Sequence, residues 1–340
     1  MKLKIAVAGF RHGHIYALYH LAKGRNDIEI VAACEEDESA REDVIRSKVA
    51  TLTHSNFEEM LKTVDCQVIA LGDYYGRRGI LAIRALETGR HVLSDKPLCT
   101  SLEELNQIEH LSQAGNLKVG CMFSLRGSPP FLTAREIIRQ GLIGEIQAIS
   151  FGGQHPLSLG TRPWWYFEPG KHGGTINDLA VHAIDALPWM TGYQFALVNA
   201  ARVWNAFVPQ YPHFQDGAQM MLTMDNGCGV LGDVSYFLPS VLGYSLPIYW
   251  RMTFFGAKGV LETSATSSGV TLFLEREKEP RLIPLVPAKP EAYLEAFLRD
   301  IQGQGYPDDL NTEAVLRVTR IALTIQQAAE QQLREVPLKF

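Results

Sequence analysis

The sequence predicts an α/β half followed by an α+β half: a doubly wound parallel sheet over residues 1–122, then a large, mostly antiparallel sheet with helices over 123–340. Three observations predict this. In the first third, short apolar runs alternate with helical patterns, and parallel strands need such crossovers. Beyond it, apolar runs are separated by turn signals such as Asp225-Asn226-Gly227, the mark of antiparallel pairing. A length of 340 residues, 46% hydrophobic and 20% charged, suits a globular protein of two domains.

The first run, residues 4–9, ends at Gly9; Ile15, Leu18 and Leu21 then mark a helix, and residues 28–35 a second strand. Together they form a strand-helix-strand unit of about 30 residues. A third strand at 66–71 leads through Gly72-Asp73-Tyr74-Tyr75 into a helix carrying Ile80, Ile83 and Leu86. A fourth, 91–94, runs into Asp95-Lys96-Pro97. Ser101 and Glu104 have capping-box spacing, and Leu102, Leu105, Ile108 and Leu111 share one stripe of the helix they open. Residues 117–123 supply another strand. In the second half a helix at 131–140 stops at Gly141, and strand-like runs follow at 146–151, 197–204, 219–224, 229–234, 249–255 and 270–274. Helical patterns at 291–302 and 312–332 close the chain, the latter with Val315, Val318, Ala322 and Ile325 on a buried stripe.

Charge excludes one group of partners. Lys and Arg total 32 against 37 acids, a net charge of -5, so there is no basic field for nucleic acid or an anionic membrane. Cys34, Cys66, Cys99, Cys121 and Cys228 are scattered singly, as free thiols of a reducing cytoplasm would be. The apolar run after Met1 is too short for a signal peptide or a membrane span.

A doubly wound sheet binds ligands at the carboxyl ends of its strands, and its first turn meets a dinucleotide pyrophosphate at a helix N-terminus. Gly9, Phe10, Arg11 and His12 occupy that turn. Glu35, ending the second strand, would accept bonds from the ribose hydroxyls, and the acids after it would repel a 2′-phosphate, which favours NAD over NADP. Leu71, Asp73, Asp95 and Lys96 end the third and fourth strands and complete the candidate cofactor set. In G-x-G-x-x-G terms the second and third glycines are Arg11 and His14, with Arg11 available to bond the pyrophosphate. His12 and His14 are two metal-ligating side chains with no carboxylate paired locally, so no metal is expected.

The chemistry concentrates in residues 171–192. Gly173-Gly174 lead into a helix that Thr175 or Asn177 can cap, and Asp178, His182 and Asp185 fall at i, i+4 and i+7, one stripe. Leu179, Ile184 and Leu187 lie on other faces and anchor it, leaving the stripe for a cleft. An Asp–His pair of this spacing on a helix surface is worth only a few tenths of a kcal/mol, so the glycine pair and the rest of the chain carry the functional reading.

The Gly9 unit, Asp95-Lys96-Pro97, Gly141-Leu-Ile-Gly-Glu145, the glycine-led helix, Phe255-Gly-Ala-Lys-Gly259 with Leu261-Glu262, and the two last helices occur in an order that resembles, end to end, the Gfo/Idh/MocA family (glucose-fructose oxidoreductase, inositol dehydrogenase and relatives). The resemblance implies an N-terminal Rossmann domain, an NAD(P)-dependent dehydrogenase or reductase acting on CH–OH groups of a sugar, sugar acid or cyclitol, and a catalytic group of Lys96, Asp178 and His182. The chemistry agrees: His182 suits a general base for the hydroxyl proton, and Lys96 would stabilise the developing alkoxide. Substrate contacts are expected from Arg126, Arg162, Trp164, Asp178 and His182, with aromatic planes from Arg162-Pro-Trp-Trp-Tyr-Phe167 stacking on a polyhydroxylated ring. A metal held by Asp178, His182, His155 or His172 lacks a complete ligand spacing. The family's subunit pairing implies a homodimer or homotetramer. Departures from its pattern are Asp95 for glutamate, Ala180 for glycine, Arg11 in the turn, and a Gly72 loop without Thr-Pro and a following His. Two alternatives follow: a glycoside hydrolase that uses NAD transiently, marked by aglycone release without net NADH, and a non-catalytic dinucleotide or sugar sensor, marked by partner binding.

Overall fold

In the first layer, strands buried on both faces read as continuous apolar runs, and they form a sheet of five parallel strands. The structure, a computed structural model, describes residues 2–338. Strands β1 (Leu3–Ala8), β2 (Ile28–Cys34), β3 (Val68–Leu71), β4 (His91–Ser94) and β5 (Val119–Cys121) lie in the order β2-β1-β3-β4-β5. Helices α1 (His14–Lys23), α2 (Glu38–Ser47), α3 (Phe57–Thr63), α4 (Tyr75–Glu87) and α5 (Leu102–Gly115) connect them. Chain order reverses between β1 and β3, so the ends of these strands, at Gly9 and Gly72, flank the switch point where such sheets bind ligands. Ser101 accepts the Glu104 amide at 3.1 Å, which caps α5 as its spacing predicts.

The second layer follows α6 (Pro129–Arg139). Strands β6 (Ile146–Pro156), β7 (Phe195–Trp204), β8 (Gly217–Met224), β9 (Gly229–Leu238), β10 (Arg251–Gly256), β11 (Gly259–Thr263), β12 (Gly269–Leu274), β13 (Arg281–Pro284) and β14 (Arg334–Pro337) make a nine-stranded sheet; α7 (Val181–Thr191), α8 (Ala292–Gln302) and α9 (Thr312–Glu330) complete the chain. Pairing is antiparallel except between β6 and β9. The last helices join the layers: Phe297 of α8 packs where a Cβ on Gly120 of β5 would fall, and α9 contacts both β5 and β7.

Periodicity did not reveal α2, α3, β11, β13 or β14. Helix α2 buries only Val44, leaving no apolar stripe to detect, and β13 and β14 are four-residue edge strands with no fully buried position. All five cysteines are free and buried. Among the described residues no helix is long and apolar enough to cross a membrane.

Candidate active site

The cofactor turn is set by two glycines. Gly9 has φ +80°, and a Cβ there would lie 2.7 Å from Asp73 Cα. Its amide bonds Cys34 O at 2.9 Å, while Arg11 N–H donates to Gly72 O at 3.1 Å, which ties the turn to the end of β3. Helix α1 then starts with no side-chain cap and no acid in its first turn, which leaves its amides for an anion. The Arg11 side chain turns aside to Asp37, 3.3 Å away. Gly9, the uncapped helix and the displaced arginine therefore fit a dinucleotide pyrophosphate.

Glu35 is placed differently from the ribose acceptor the sequence suggests. Its carboxylate is buried and accepts Phe10 N–H at 2.5 Å and Asp37 N–H at 2.9 Å, so it braces the turn from beneath. Burial raises its pKa. Asp73, also buried, accepts Tyr74 N–H at 2.7 Å and pairs with Arg77 at 3.2 Å; Leu71 is part of the strand core.

After β4 the chain delivers Asp95 and Lys96 to opposite jobs. Asp95 is fully buried against Arg78 (2.9 Å), His12 (2.6 Å) and His14 (3.0 Å). Burial alone would raise its pKa, but the Arg78 charge and the two imidazoles hold it well below the carboxylate range. His12 is lowered to about 4, chiefly by burial. No carboxylate is local to His12 and His14 in the sequence; the one that meets them, Asp95, comes from more than eighty residues away, a pairing that local spacing cannot express.

Lys96 reaches across to the second layer. Its Nζ donates to Asp178 O at 3.0 Å and pairs with the Asp178 carboxylate, whose other oxygen accepts the Tyr236 hydroxyl. His172 Nε2 lies 3.0 Å from that hydroxyl and 3.4 Å from the carboxylate. Burial pushes Asp178 up, and the Lys96 charge and His172 outweigh it, so it stays ionised. His182 Nδ1 is buried with no hydrogen-bond partner among the described residues. Burial, then the Lys96 charge, drive the His182 pKa well below its ordinary value. Its ring faces Trp250 at 5.4 Å, and Trp250 also flanks His155, lowered by burial to about 3.

The glycine pair is obligatory here. Gly173 (φ +78°) and Gly174 (φ +95°) leave no room for a Cβ against Thr100 and Gln326. Neither proposed cap acts as one: the Thr175 hydroxyl donates to Gln215 O, and Asn177 Nδ2 donates to Cys99 O at 2.9 Å. Residues Ile176–Ala180 wind as a π-turn before α7. Asp178 faces Lys96, and Asp185 forms a bidentate pair with Arg126 at 2.6–3.0 Å.

Arg126, expected among the substrate contacts, has its guanidinium on the Asp185 carboxylate and the Asp308 carbonyl. Trp164 is 63% exposed and packs on Phe167 and Tyr211; its neighbour Trp165 is buried and donates to Arg11 O at 3.2 Å, closing the second layer over the cofactor turn. Arg162 stays near the site, 4.9 Å over the Tyr236 ring, with its N–H groups on the Leu157 and Pro156 carbonyls. Sequence reasoning missed Tyr75, Arg78 and Tyr236. Tyr75 stands in the loop noted for lacking Thr-Pro, where it bonds Tyr166 at 2.6 Å and lies 5.6 Å beneath Lys96 Nζ.

Comparison with known proteins bears on the family and the fold. Residues 3–123 match the family model of the oxidoreductase family with NAD-binding Rossmann fold, and residues 131–262 that of the GFO/IDH/MocA C-terminal domain. A levoglucosan dehydrogenase of Pseudarthrobacter phenanthrenivorans is 28% identical over 185 residues, 53% of this chain and 46% of that one. Inositol 2-dehydrogenase 2 of Saccharopolyspora erythraea is 26% identical over 187 residues, 54% and 50% of the two chains. The matches span about half the length of these curated relatives. A solved structure from Thermotoga maritima superposes with TM-score 0.84 at 28% identity, covering 98% of this chain and 100% of its own. A levoglucosan dehydrogenase bound to NADH shares the fold at TM-score 0.79, with 18% identity and full coverage of both chains.

Proposed function

The chain belongs to the Gfo/Idh/MocA oxidoreductase family, with its NAD-binding Rossmann fold, and on that premise we propose that it transfers hydride between NAD and a secondary alcohol or ketone of a sugar, sugar acid or cyclitol. The observation that carries the reading is His182 Nδ1, buried without a partner among the described residues in the field of the Lys96–Asp178 pair. A neutral imidazole so placed accepts a substrate hydroxyl proton. Lys96 donates to the same oxygen and stabilises its developing charge. Asp178, with Tyr236 behind it, fixes the ammonium rather than the imidazole, so the carboxylate orients the lysine. NAD, when bound, supplies the hydride acceptor. Gly9, Phe10, Arg11 and His12 line its turn, with Leu71, Asp73 and Asp95 at the neighbouring strand ends and Glu35 beneath. His155, Tyr244, Tyr249 and Trp250 form an aromatic wall suited to the C–H face of a polyol.

NADH titration followed by fluorescence is expected to show saturable binding, and a polyol screen with NAD is expected to give absorbance growth at the reduced-nicotinamide band. Absence of dinucleotide binding in the folded protein would remove the proposal.

A homodimer or homotetramer is part of it. The nine-stranded sheet leaves a groove of about 1070 Å3 on one face, lined by residues including Phe151, Met221, Leu231 and Arg251. Met221 and Leu231 are exposed there, and an apolar face of this kind favours cover. Light scattering should return a mass of at least twice 37.9 kDa; a monomer would refute it.

A further inference from the structure

We propose that His12, His14 and Asp95 form a divalent-metal site of the zinc class beside the dinucleotide turn, an assignment independent of the hydride-transfer reading. Each residue offers one donor atom, and all three lie within 4.8 Å of one another. His12 Nδ1 and His14 Nδ1 approach the two Asp95 oxygens at 2.6 and 3.0 Å. Tetrahedral zinc, with bonds of about 2.0–2.2 Å to nitrogen and oxygen, holds its donors roughly 3.3 Å apart. A slight opening of the cluster therefore admits the ion, and two imidazoles with one carboxylate are a ligand set it takes.

The surroundings supply what such ligands require. A metal-bound imidazole carries its proton on the other nitrogen and gives it to a neighbour. His12 Nε2 lies 3.3 Å from the Tyr75 hydroxyl, which shares a hydrogen bond with the Tyr166 hydroxyl at 2.6 Å and can accept from the imidazole when it donates there. Arg78 Nη2 binds Asp95 Oδ2 at 2.9 Å and orients the carboxylate, leaving Oδ1, beside His14, for the metal. The His14 side chain is 44% exposed, so an ion can enter and a fourth position stays open to solvent or ligand. Without a metal, the same groups form a hydrogen-bonded cluster in which both Nδ1 atoms carry protons toward one carboxylate; experiment separates these two states.

The full-length protein, stripped with a chelator and dialysed, is titrated with Zn2+ by calorimetry. One ion per chain with micromolar or tighter affinity is expected, and His14→Ala should weaken it at least about 10-fold. His14→Asn, which can still bond Asp95 but ligates zinc poorly, should lose affinity equally; this keeps the result readable if alanine loosens the turn. His110→Ala, on the exposed side of α5, controls for surface binding and should change nothing. No bound zinc, or an affinity indifferent to both His14 variants, overturns the proposal.

Discussion

Lys96→Ala is expected to lower kcat at least about 100-fold, and His182→Ala to do the same, but only the lysine variant should also lose about 3–5 kcal/mol of stability. The asymmetry follows from their partners. Lys96 is the cation paired with the buried Asp178 carboxylate, and removing it leaves a charge that Tyr236 and His172 alone must hold. His182 has no hydrogen-bond partner among the described residues, so its loss orphans nothing. Initial rates and denaturant melts of both variants check this. The double variant Lys96→Met/Asp178→Asn should recover stability without recovering turnover. The pH profile separates a base from a packing residue. His182 works when neutral, and its pKa is lowered by burial and then by the Lys96 charge. Activity should therefore persist below about pH 6.5, the ordinary imidazole value, and fall only as pH passes the depressed value. In Lys96→Ala the residual acid limb should move up. Near-wild-type turnover in both single variants would sink the acid–base assignment.

What the sequence disclosed depended on how local each signal is. The parallel sheet was legible because a strand such as β3, Val-Ile-Ala-Leu, is buried on both faces and is therefore written as an unbroken apolar run. Lys96 was legible because it follows a strand end directly. The π-turn at Ile176–Ala180 was not legible because periodicity assumes an α-helix throughout, and the turn sits among contacts of Gly173, Gly174 and Gln326 that only the fold creates. Trp164 and Trp165 are adjacent and alike in composition, so only the folded turn decides that the second one reaches Arg11. The carboxylate beside the histidine pair was not legible for the same reason: folding, not sequence distance, brings Asp95, after β4, to His12, after β1, across the intervening β3.

A second large effect is expected at a residue that no local signal marks. Arg78→Ala should destabilise the protein by about 3–5 kcal/mol, lowering the melting temperature by on the order of 10 °C. Its guanidinium is fully buried and donates to Asp73 O at 2.8 Å, to the Lys96 carbonyl and to Asp95 at 2.9 Å, while lying 4.7 Å over Tyr75. Alanine strands one buried carboxylate and two carbonyls together. Arg78→Lys keeps the charge but not the planar fork, so it should recover only part of the loss. Because Arg78 holds the carbonyl of Lys96, kcat/KM should fall even in samples cold enough to stay folded. The adjacent Arg77 supplies the contrast. It pairs with both Glu36 and Asp73, with 29% of its side chain exposed. Arg77→Ala should cost less than Arg78→Ala, because the Arg77 guanidinium and Glu36 are partly exposed and solvent screens that pair, while the buried Asp73 keeps the Tyr74 N–H. Thermal melts of the two variants side by side test whether burial, rather than charge count, sets the value of these arginines; equal shifts would contradict it.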